Sequence, residues 1–183
     1  PLGRMRLEST GREQDMQQSN LVFWCPEEFP DNIELSWDFT PVYEPGLAIM
    51  FFAAKGKDGE DVLSSNLVQR NGPYKQYHHG DINALHVSYF RRNPSMERFG
   101  QGANQFQLCN LRKSHGFHLV SQGMDGIPSV VNRSYEPYRI SVVKAGPEVA
   151  FAINGIESFT WHDGGEEYGP VLGGGKIGFR QMV

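Results

Sequence analysis

The 183-residue chain can form one domain with a sizeable core, because 39% of its residues are hydrophobic and 12% are aromatic. A charged fraction of 21% argues against a largely disordered chain, and a net charge of −4 gives no general reason to expect nucleic acid or a membrane surface as a partner. We therefore expect any anionic partner to be recognised by a local cluster of basic residues.

Targeting and redox features favour a cytoplasmic location. No stretch approaches the roughly 18 apolar residues of a spanning helix, and the first residues, PLGRMRLESTGREQ, lack the apolar middle of a signal peptide. Cys25 and Cys109 both lie in predicted strands. Two buried thiols are favoured over the alternative of a single disulfide.

Short apolar or alternating runs follow one another along the chain, separated by turns that draw on 21 Gly and 11 Pro. Helical periodicity is almost absent, so the pattern predicts an all-β sandwich. In chain order, the predicted strands are 20–25, 33–42, 47–54, 84–92, 106–112, 118–122, 138–144, 148–154, 158–161 and 176–182. The Asn154-Gly155 pair is a strong hairpin signal and makes 138–163 a three-stranded meander.

Two longer segments, 56–80 and 93–104, fit poorly into strands and are predicted to be loops, with a short helix possible at 61–69. Long loops in a compact domain are more often functional or mobile than incidental. No internal repeat or linker divides the chain. We predict a single domain over residues 1–183, with residues 1–19 a more loosely attached segment.

Five long stretches of the chain carry a family resemblance: FWCPEEFPDN, SWDFTPVYEPGLAIMFFAAKGKDGED, YHHGDINALHVSYFRR, CNLRKSHGFHLVSQG and YGPVLGGGKIGFRQM. Through them, most of residues 20–182 resembles the YesU-like family of bacterial proteins of unknown function, within the concanavalin A-like superfamily. In addition, YRISVVKAGPEVAFAING followed by GGGKIGFRQM is similar to the C-terminal half of concanavalin A-like jelly rolls. The resemblance implies a jelly-roll sandwich of two antiparallel sheets. It also implies a place among proteins of polysaccharide degradation, including proteins that handle rhamnogalacturonan. It implies no particular reaction or catalytic residue.

Strand parity indicates which polar residues face away from the core, because successive side chains on a strand point to opposite faces. In the strand 84–92, Leu85, Val87 and Tyr89 share the apolar face. The opposite face carries Ala84, His86, Ser88, Phe90 and Arg92. In a jelly roll this second face can line a concave sugar cleft, and the alternative is a solvated face without a ligand.

Other strands also present basic residues on a non-core face. Asn110 and Arg112 share one parity, and Arg180 lies opposite Ile177 and Phe179. Arginine pairs with carboxylates through two-point contacts, so a uronic-acid sugar is the expected ligand. The basic residues of this group are Arg92, Arg112, Lys113 and Arg180. The alternative is that they are scattered surface residues paired with local acids.

Hydrolysis of a glycosidic bond requires two carboxylates that flank the bond. The Glu-x-Asp-x-x-Glu pattern of related glucanases is absent from this sequence. Glu34 and Asp38 lie four residues apart on one strand, about 13 Å by strand rise, which exceeds the usual spacing. Pairing of Asp38 with Asp81 or Glu44 is the remaining hydrolase option.

A lyase needs a group that neutralises the uronate carboxylate and a group that removes the C5 proton. Histidine titrates near neutral pH, and tyrosine also serves in this role. The candidate catalytic residues are His86, His78, His79 and Tyr77. The candidate substrate-binding residues are Arg92, Arg112, Asn110, Arg180, Ser88 and Asp81, with the 77–81 loop at the rim of the cleft.

No cofactor and no transition-metal site are predicted, because the histidines lack HxH or HExxH spacing. A structural calcium ion at a loop remains an alternative, with GKDGED at 56–61 read first as an exposed acidic turn. Trp161 is expected in the core, with stacking on a sugar at a cleft rim as the alternative.

The leading interpretation is an enzyme that acts on acidic oligosaccharides, by β-elimination in preference to hydrolysis. The competing hypotheses are a non-catalytic carbohydrate-binding module and a structural or interaction protein. An oligosaccharide or polysaccharide is the expected partner, with neither nucleic acid nor membrane.

Overall fold

The computed structural model describes residues 3–9, 17–44, 46–92, 108–128, 130 and 137–182. Within these ranges the chain forms ten strands and one short helix. In chain order they are β1 (Leu21–Trp24), β2 (Ile33–Phe39), β3 (Gly46–Gly56), α1 (Lys75–His78), β4 (Ile82–Arg92), β5 (Leu108–Ser114), β6 (His118–Met124), β7 (Tyr138–Ala145), β8 (Glu148–Ile153), β9 (Ile156–His162) and β10 (Lys176–Met182).

The strands form two antiparallel sheets. A six-stranded sheet has the order β1-β10-β3-β4-β5-β6, and a four-stranded sheet has the order β2-β7-β8-β9. The predicted two-sheet, all-β fold is confirmed, and each predicted strand corresponds to an observed one. The meander is β7-β8-β9, with Asn154 and Gly155 both at positive φ in the hairpin turn.

The predicted loop 56–80 differs in one detail, because turns and not a helix occupy 61–69. The Asp61 side chain accepts a hydrogen bond from the Leu63 amide at 2.8 Å, and the Asp61 carbonyl accepts one from the Ser64 amide. Such local side-chain bonds favour a turn over a helix. The short helix lies further on, at Lys75–His78, and the predicted loop 93–104 lies outside the described residues.

The core between the sheets confirms the predicted alternation. Leu85, Val87 and Leu111 from the six-stranded sheet pack against Ile140 and Phe151 from the four-stranded sheet, and all five are buried. Deep burial of aliphatic and aromatic side chains is the main favourable contribution to folding. The side chains between these residues on β4 and β5 therefore point to the opposite side of the sheet, which we call the outer face.

The outer face is covered by protein in the region of β3 and β4. Phe51 and Ile82 on the sheet pack against Val62 and Tyr77 from the covering segment, residues 57–81. Neither the sugar cleft expected on this face nor the alternative of a solvated face describes this region, because the long loop carries its own apolar side chains onto the sheet. The candidate functional site is built at the junction of the outer face with the covering segment.

A β-bulge in β4 changes which arginine reaches the outer face. Tyr89 pairs with Ala48, but Arg92 pairs with Gly46, so β4 contains one extra residue at this point. Phe90 has φ of 48° and its side chain joins the core between the sheets. A bulge reverses the alternation of side chains beyond it, so Arg91 and not Arg92 points to the outer face.

Both cysteines are free, with Cys109 buried and Cys25 half-buried. Burial raises the pKa of the Cys109 thiol. Of the two thiols expected to be buried, only Cys109 is. Among the described residues, no helix has the length and apolar character needed to cross a membrane.

Candidate functional site

Strand register brings most of the predicted binding residues together in two adjacent rows on the outer face. His86 pairs with Phe51 on one side and with Arg112 on the other, and Ser88 pairs with Asn110. Ile49 pairs with both Ser88 and Arg180, which extends the second row to β10. Partners in an antiparallel ladder project to the same face. The residues placed as predicted are His86, Ser88, Asn110, Arg112 and Arg180.

His86 was expected to line an open cleft. It is instead fully buried beneath the covering segment. Its Nδ1 lies 2.8 Å from the Tyr74 hydroxyl, and its Nε2 lies 3.1 Å from the Ser114 hydroxyl. Ser114 donates its proton to the Gly116 carbonyl at 3.1 Å, so its oxygen accepts from Nε2–H. Tyr74 therefore donates to an unprotonated Nδ1, which assigns the neutral Nε2–H tautomer.

The electrostatic environment keeps the histidines of the site neutral. Burial, and then the positive charge of Arg112, lowers the pKa of His86 to about 3. Burial and the neighbouring His79 lower the pKa of His78 to about 4. Both rings are therefore uncharged near pH 7, where they act as hydrogen-bonding groups and weak bases.

Arg180 is a buried guanidinium with few partners, being 1% exposed. It donates one hydrogen bond, from Nη2 to the Gly72 carbonyl at 2.6 Å, while Nε and Nη1 make none. Its guanidinium carbon lies 4.7 Å from the Tyr77 ring centre and 5.1 Å from the Tyr74 ring centre. Cation–π contacts partly compensate such a charge, and burial lowers the pKa of Arg180.

Arg112 and Arg91 bring two further positive charges to the same region. The Arg112 guanidinium lies 3.7 Å from the Phe117 ring centre and donates to the Phe117 carbonyl at 2.9 Å. Because of the bulge, Arg91 lies on the outer side of β4, where it interacts electrostatically with both Tyr74 and Arg112. We call Arg91, Arg112 and Arg180 the arginine cluster. In the part of the chain that the structure describes, no carboxylate forms an ion pair with any of the three.

Besides Arg91, the site residues that strand parity did not identify are Tyr74 and Phe117. The Tyr74 hydroxyl lies among all three arginines, whose charges oppose the increase in its pKa caused by burial. Phe117 is 41% exposed and packs against Tyr74 and His78, with ring centres 5.6 and 4.4 Å apart. Both lie outside the strands, where alternation makes no prediction. The only available signal was that Tyr74 belongs to the long loop 56–80.

Arg92 was predicted on the outer face, and this placement is wrong. Its Nη1 lies 3.5 Å from the buried Asp125 carboxylate and its Nε lies 3.6 Å from Glu44. It also donates to the Ile127 carbonyl. The bulge at Phe90 reverses the parity, so Arg92 joins this network at the end of the sandwich.

The side chains of three other predicted residues are engaged in ion pairs or packing within the protein. Asp81 pairs with Arg70 at 3.2 Å and accepts a hydrogen bond from the Val68 amide at 2.6 Å, which organises the covering segment. Tyr77 is 4% exposed and packs inside the outer cluster, where burial raises its pKa. Lys113 points away from the outer face into an ion pair with Asp163 at 2.7 Å. Of the predicted rim, only His78 and His79 retain accessible rings.

The carboxylates considered for hydrolysis are not brought together. Asp38 lies on the four-stranded sheet and pairs with Arg139 at 2.8 Å. Asp81 immediately precedes β4 of the other sheet, and Glu44 is next to Arg92. Each has its own cationic neighbour, so this arrangement gives no support to a hydrolase pair.

Within the described ranges, no group of three His, Cys, Asp or Glu side chains is arranged to hold a metal ion. Asp61 of the GKDGED turn instead pairs with Lys176 at 3.1 Å. The hydrogen bond from the Leu63 amide lowers the pKa of Asp61. Trp161 packs partly against the core, as expected, but one side of it lines a cleft.

Comparison with known proteins places the chain in a family. A family model described as "Domain of unknown function (DUF1961)" matches residues 2–183. The chain belongs to this family.

A sequence match and a structural match, both from Bacillus subtilis, support the assignment. The chain is 52% identical to "Uncharacterized protein YesU" of strain 168 over 166 residues, which are 91% of this chain and 72% of that protein. It is also 52% identical to a crystal structure of a "Protein of Unknown Function with Galectin-like Fold", with a TM-score of 0.83 over 90% of this chain and 71% of the other. The family and its galectin-like sandwich are therefore established.

A more distant fold likeness is with the "carbohydrate binding module CBM66" from Bacillus subtilis. It is 11% identical, with a TM-score of 0.48, over 88% of this chain and 73% of that one.

Proposed function

We propose that the protein binds acidic saccharides, specifically uronate-containing oligosaccharides of the pectin type, on the outer face of its six-stranded sheet. The arginine cluster is the observation that carries this proposal. In the described part of the chain, no carboxylate forms an ion pair with any of these three arginines, although Asp125 attracts Arg91 electrostatically and the chain as a whole has a net charge of −4. An unpaired buried charge such as that of Arg180 costs stability, and a ligand of opposite charge would compensate that cost.

The chemistry of the cluster suits a carboxylate attached to a sugar ring. Arginine presents a planar fork that matches a carboxylate with two parallel hydrogen bonds. The Phe117 and His78 rings provide a partly exposed aromatic surface beside Arg112, on which the C–H face of a sugar can pack. One ligand thus satisfies both the charge and the apolar surface.

β-Elimination is the second candidate function, and the Tyr74 hydroxyl among three positive charges is the observation that favours it. In this reaction a base takes the C5 proton, a C4=C5 double bond forms, and the C4–O bond breaks as the leaving oxygen gains a proton. The arginines would neutralise the uronate and thereby acidify C5. Binding is the stronger proposal, because His86 has both ring nitrogens engaged and His78 is a weak base.

The experiment is a calorimetric titration of the full chain with galacturonate oligomers and with neutral galactose oligomers of equal length. Absorbance of new C=C bonds is followed in parallel. We expect the acidic series to bind at least roughly tenfold more tightly, with an affinity that falls as salt is added. Equal affinity for both series, or no binding of either, would overturn the proposal.

Absorbance from new double bonds would raise elimination to the leading function. In that case Tyr74→Phe should abolish the absorbance change while the acidic oligomer still binds. Binding without any absorbance change identifies a binding module.

A further inference from the structure

A cleft of about 400 Å³ lies between the start of β6 and the chain that follows β9. No residue of the arginine cluster lines it, and neither does Tyr74 or Phe117. Its walls include Leu119, Trp161, His162, Glu166, Glu167 and Tyr168. We call it the tryptophan cleft. A volume of this size is within the range of small-ligand sites.

The loop that forms one wall is held in place by contacts below the cleft. Lys113 is 1% exposed and bonds both Asp163, at 2.7 Å, and the Gly169 carbonyl, at 2.7 Å. Asp163 also accepts a hydrogen bond from the Gly165 amide at 3.1 Å. A buried, fully hydrogen-bonded ion pair fixes geometry. The cleft is therefore preformed.

Aromatic stacking fixes the outer end of the same loop. The Tyr168 ring stacks on His118 of β6, with ring centres 4.3 Å apart and planes 21° from parallel. The loop is thus attached to β6 as well as to β5, through Lys113. Trp161, which packs partly against the core, provides the third fixed surface.

The lining of the cleft suits an uncharged polyol. Trp161 and Leu119 offer apolar surface for sugar C–H groups. Glu166 and Glu167 are exposed, and no cation among the described residues forms an ion pair with either. Carboxylates accept hydrogen bonds from sugar hydroxyls, whereas they repel a uronate.

The tryptophan cleft adjoins the arginine cluster. Leu119 on β6 is the register partner of Arg112 on β5, and Leu119 is 41% exposed. Neighbouring strands are about 4.8 Å apart, so Leu119 at the rim of the cleft lies one strand spacing from Arg112, whereas the loop that walls the cleft is anchored from the opposite face of the sheet through Lys113. The arginine cluster and the cleft with its exposed carboxylates therefore meet at the sheet edge formed by β6.

We propose that the tryptophan cleft is a second saccharide subsite, which takes an uncharged sugar unit next to the acidic unit held by the arginine cluster. The inference rests on the proposed function and narrows its ligand to hetero-oligosaccharides, in which acidic and neutral units adjoin. It predicts a preference for oligomers with adjoining acidic and neutral units over all-acidic oligomers, which the arginine cluster alone does not produce.

The test compares three oligosaccharides of equal length: all-uronate, alternating uronate and neutral sugar, and all-neutral. We expect the alternating oligomer to bind roughly tenfold more tightly than the all-uronate one. Changing Glu166→Lys together with Glu167→Lys should remove this preference and strengthen binding of the all-uronate oligomer. Glu34→Lys together with Glu157→Lys, an equal charge change at exposed positions of β2 and β9 away from the cleft, is the matched control and should keep the preference.

Tryptophan fluorescence provides a local readout. Trp24 and Trp37 pack on Phe51 and Phe179, with ring centres 5.6 and 5.2 Å apart, whereas Trp161 lines the cleft. The alternating oligomer should change the emission, and Trp161→Phe should remove that change without loss of fold.

The outcomes separate this inference from the proposed function. If acidic oligomers bind but the alternating one has no advantage and Trp161 does not respond, the subsite is refuted and the proposed function stands. If no acidic oligomer binds, the proposed function fails. The cleft then remains a sugar site only if the all-neutral oligomer changes the Trp161 emission.

Discussion

At the scale of single residues, the buried ring of His86 makes the free energy of unfolding depend on pH. Its ring is fully buried and both nitrogens bond neutral hydroxyls, so the folded protein holds it uncharged. In the unfolded chain the same ring has an ordinary pKa of about 6.5. The unfolded state therefore binds more protons than the folded state between pH 6.5 and the folded pKa of about 3.

The free energy of unfolding should consequently fall as the pH is lowered through this window, by about 1.4 kcal/mol per pH unit for His86. The stability that depends on neutral His86 is fully present above pH 6.5, as judged from its unfolded pKa. Urea unfolding of the wild type and of His86→Gln, measured from pH 7.5 down to about 4.5, isolates this contribution. Parallel pH profiles for the two proteins would contradict the buried, neutral assignment.

Arg180 illustrates a conflict between stability and binding. Two of its three guanidinium nitrogens make no hydrogen bond although the side chain is buried. Replacement of a poorly paired buried ion by an apolar side chain of similar size is often stabilising. Arg180→Met should therefore raise the free energy of unfolding by about 1 kcal/mol and weaken binding of acidic oligomers. Marked destabilisation in urea would show that the bond to Gly72 and the ring contacts outweigh the cost of burial.

Parity on the strands predicted the outer-face positions of His86, Asn110 and Arg112 because alternation is a local property of extended chain. It failed for Arg92 because a bulge at Phe90 reverses the faces. A bulky residue at positive φ is uncommon, so the sequence offers no local signal for that bulge. Tyr74 was missed for a different reason, since its place over His86 depends on how a long loop packs.

At the scale of elements, the covering segment is the feature that most changes the site. A loop was predicted at 56–80, but its apolar side chains pack onto β3 and β4, so the segment encloses His86. Several contacts determine its path, among them the pair between Asp81 and Arg70. These contacts join residues far apart in sequence, which is why composition predicted the loop but not its docking.

The loop after β9 depends on the ion pair between Lys113 and Asp163. Lys113→Met leaves the buried Asp163 carboxylate without its cation, which should cost about 3–5 kcal/mol in the free energy of unfolding. Lys113→Met combined with Asp163→Asn removes both charges and should recover a large part of that loss. Urea unfolding followed by tryptophan emission checks both variants. Equal stability of the single and double variants would show that the pair does not anchor the loop.

At the scale of the whole molecule, the fold was predictable because alternation, turn residues and family resemblance all agreed on a two-sheet sandwich. The distribution of charge was only partly predictable. Net charge is −4, yet the arginine cluster collects three positive charges on one face, and the carboxylates considered for hydrolysis lie apart. Pairing between distant residues decides which charges remain available to a ligand, and no single strand encodes it.

The most direct test of the central claim is a calorimetric titration with a galacturonate oligomer, comparing wild type, Arg112→Ala and Arg139→Ala. Arg139 is the matched control, since it is an exposed arginine that pairs with Asp38 on the four-stranded sheet. We predict that Arg112→Ala weakens binding at least roughly tenfold while Arg139→Ala leaves it unchanged. Equal losses in both variants, or full affinity in Arg112→Ala, would contradict an acidic-saccharide site on the outer face.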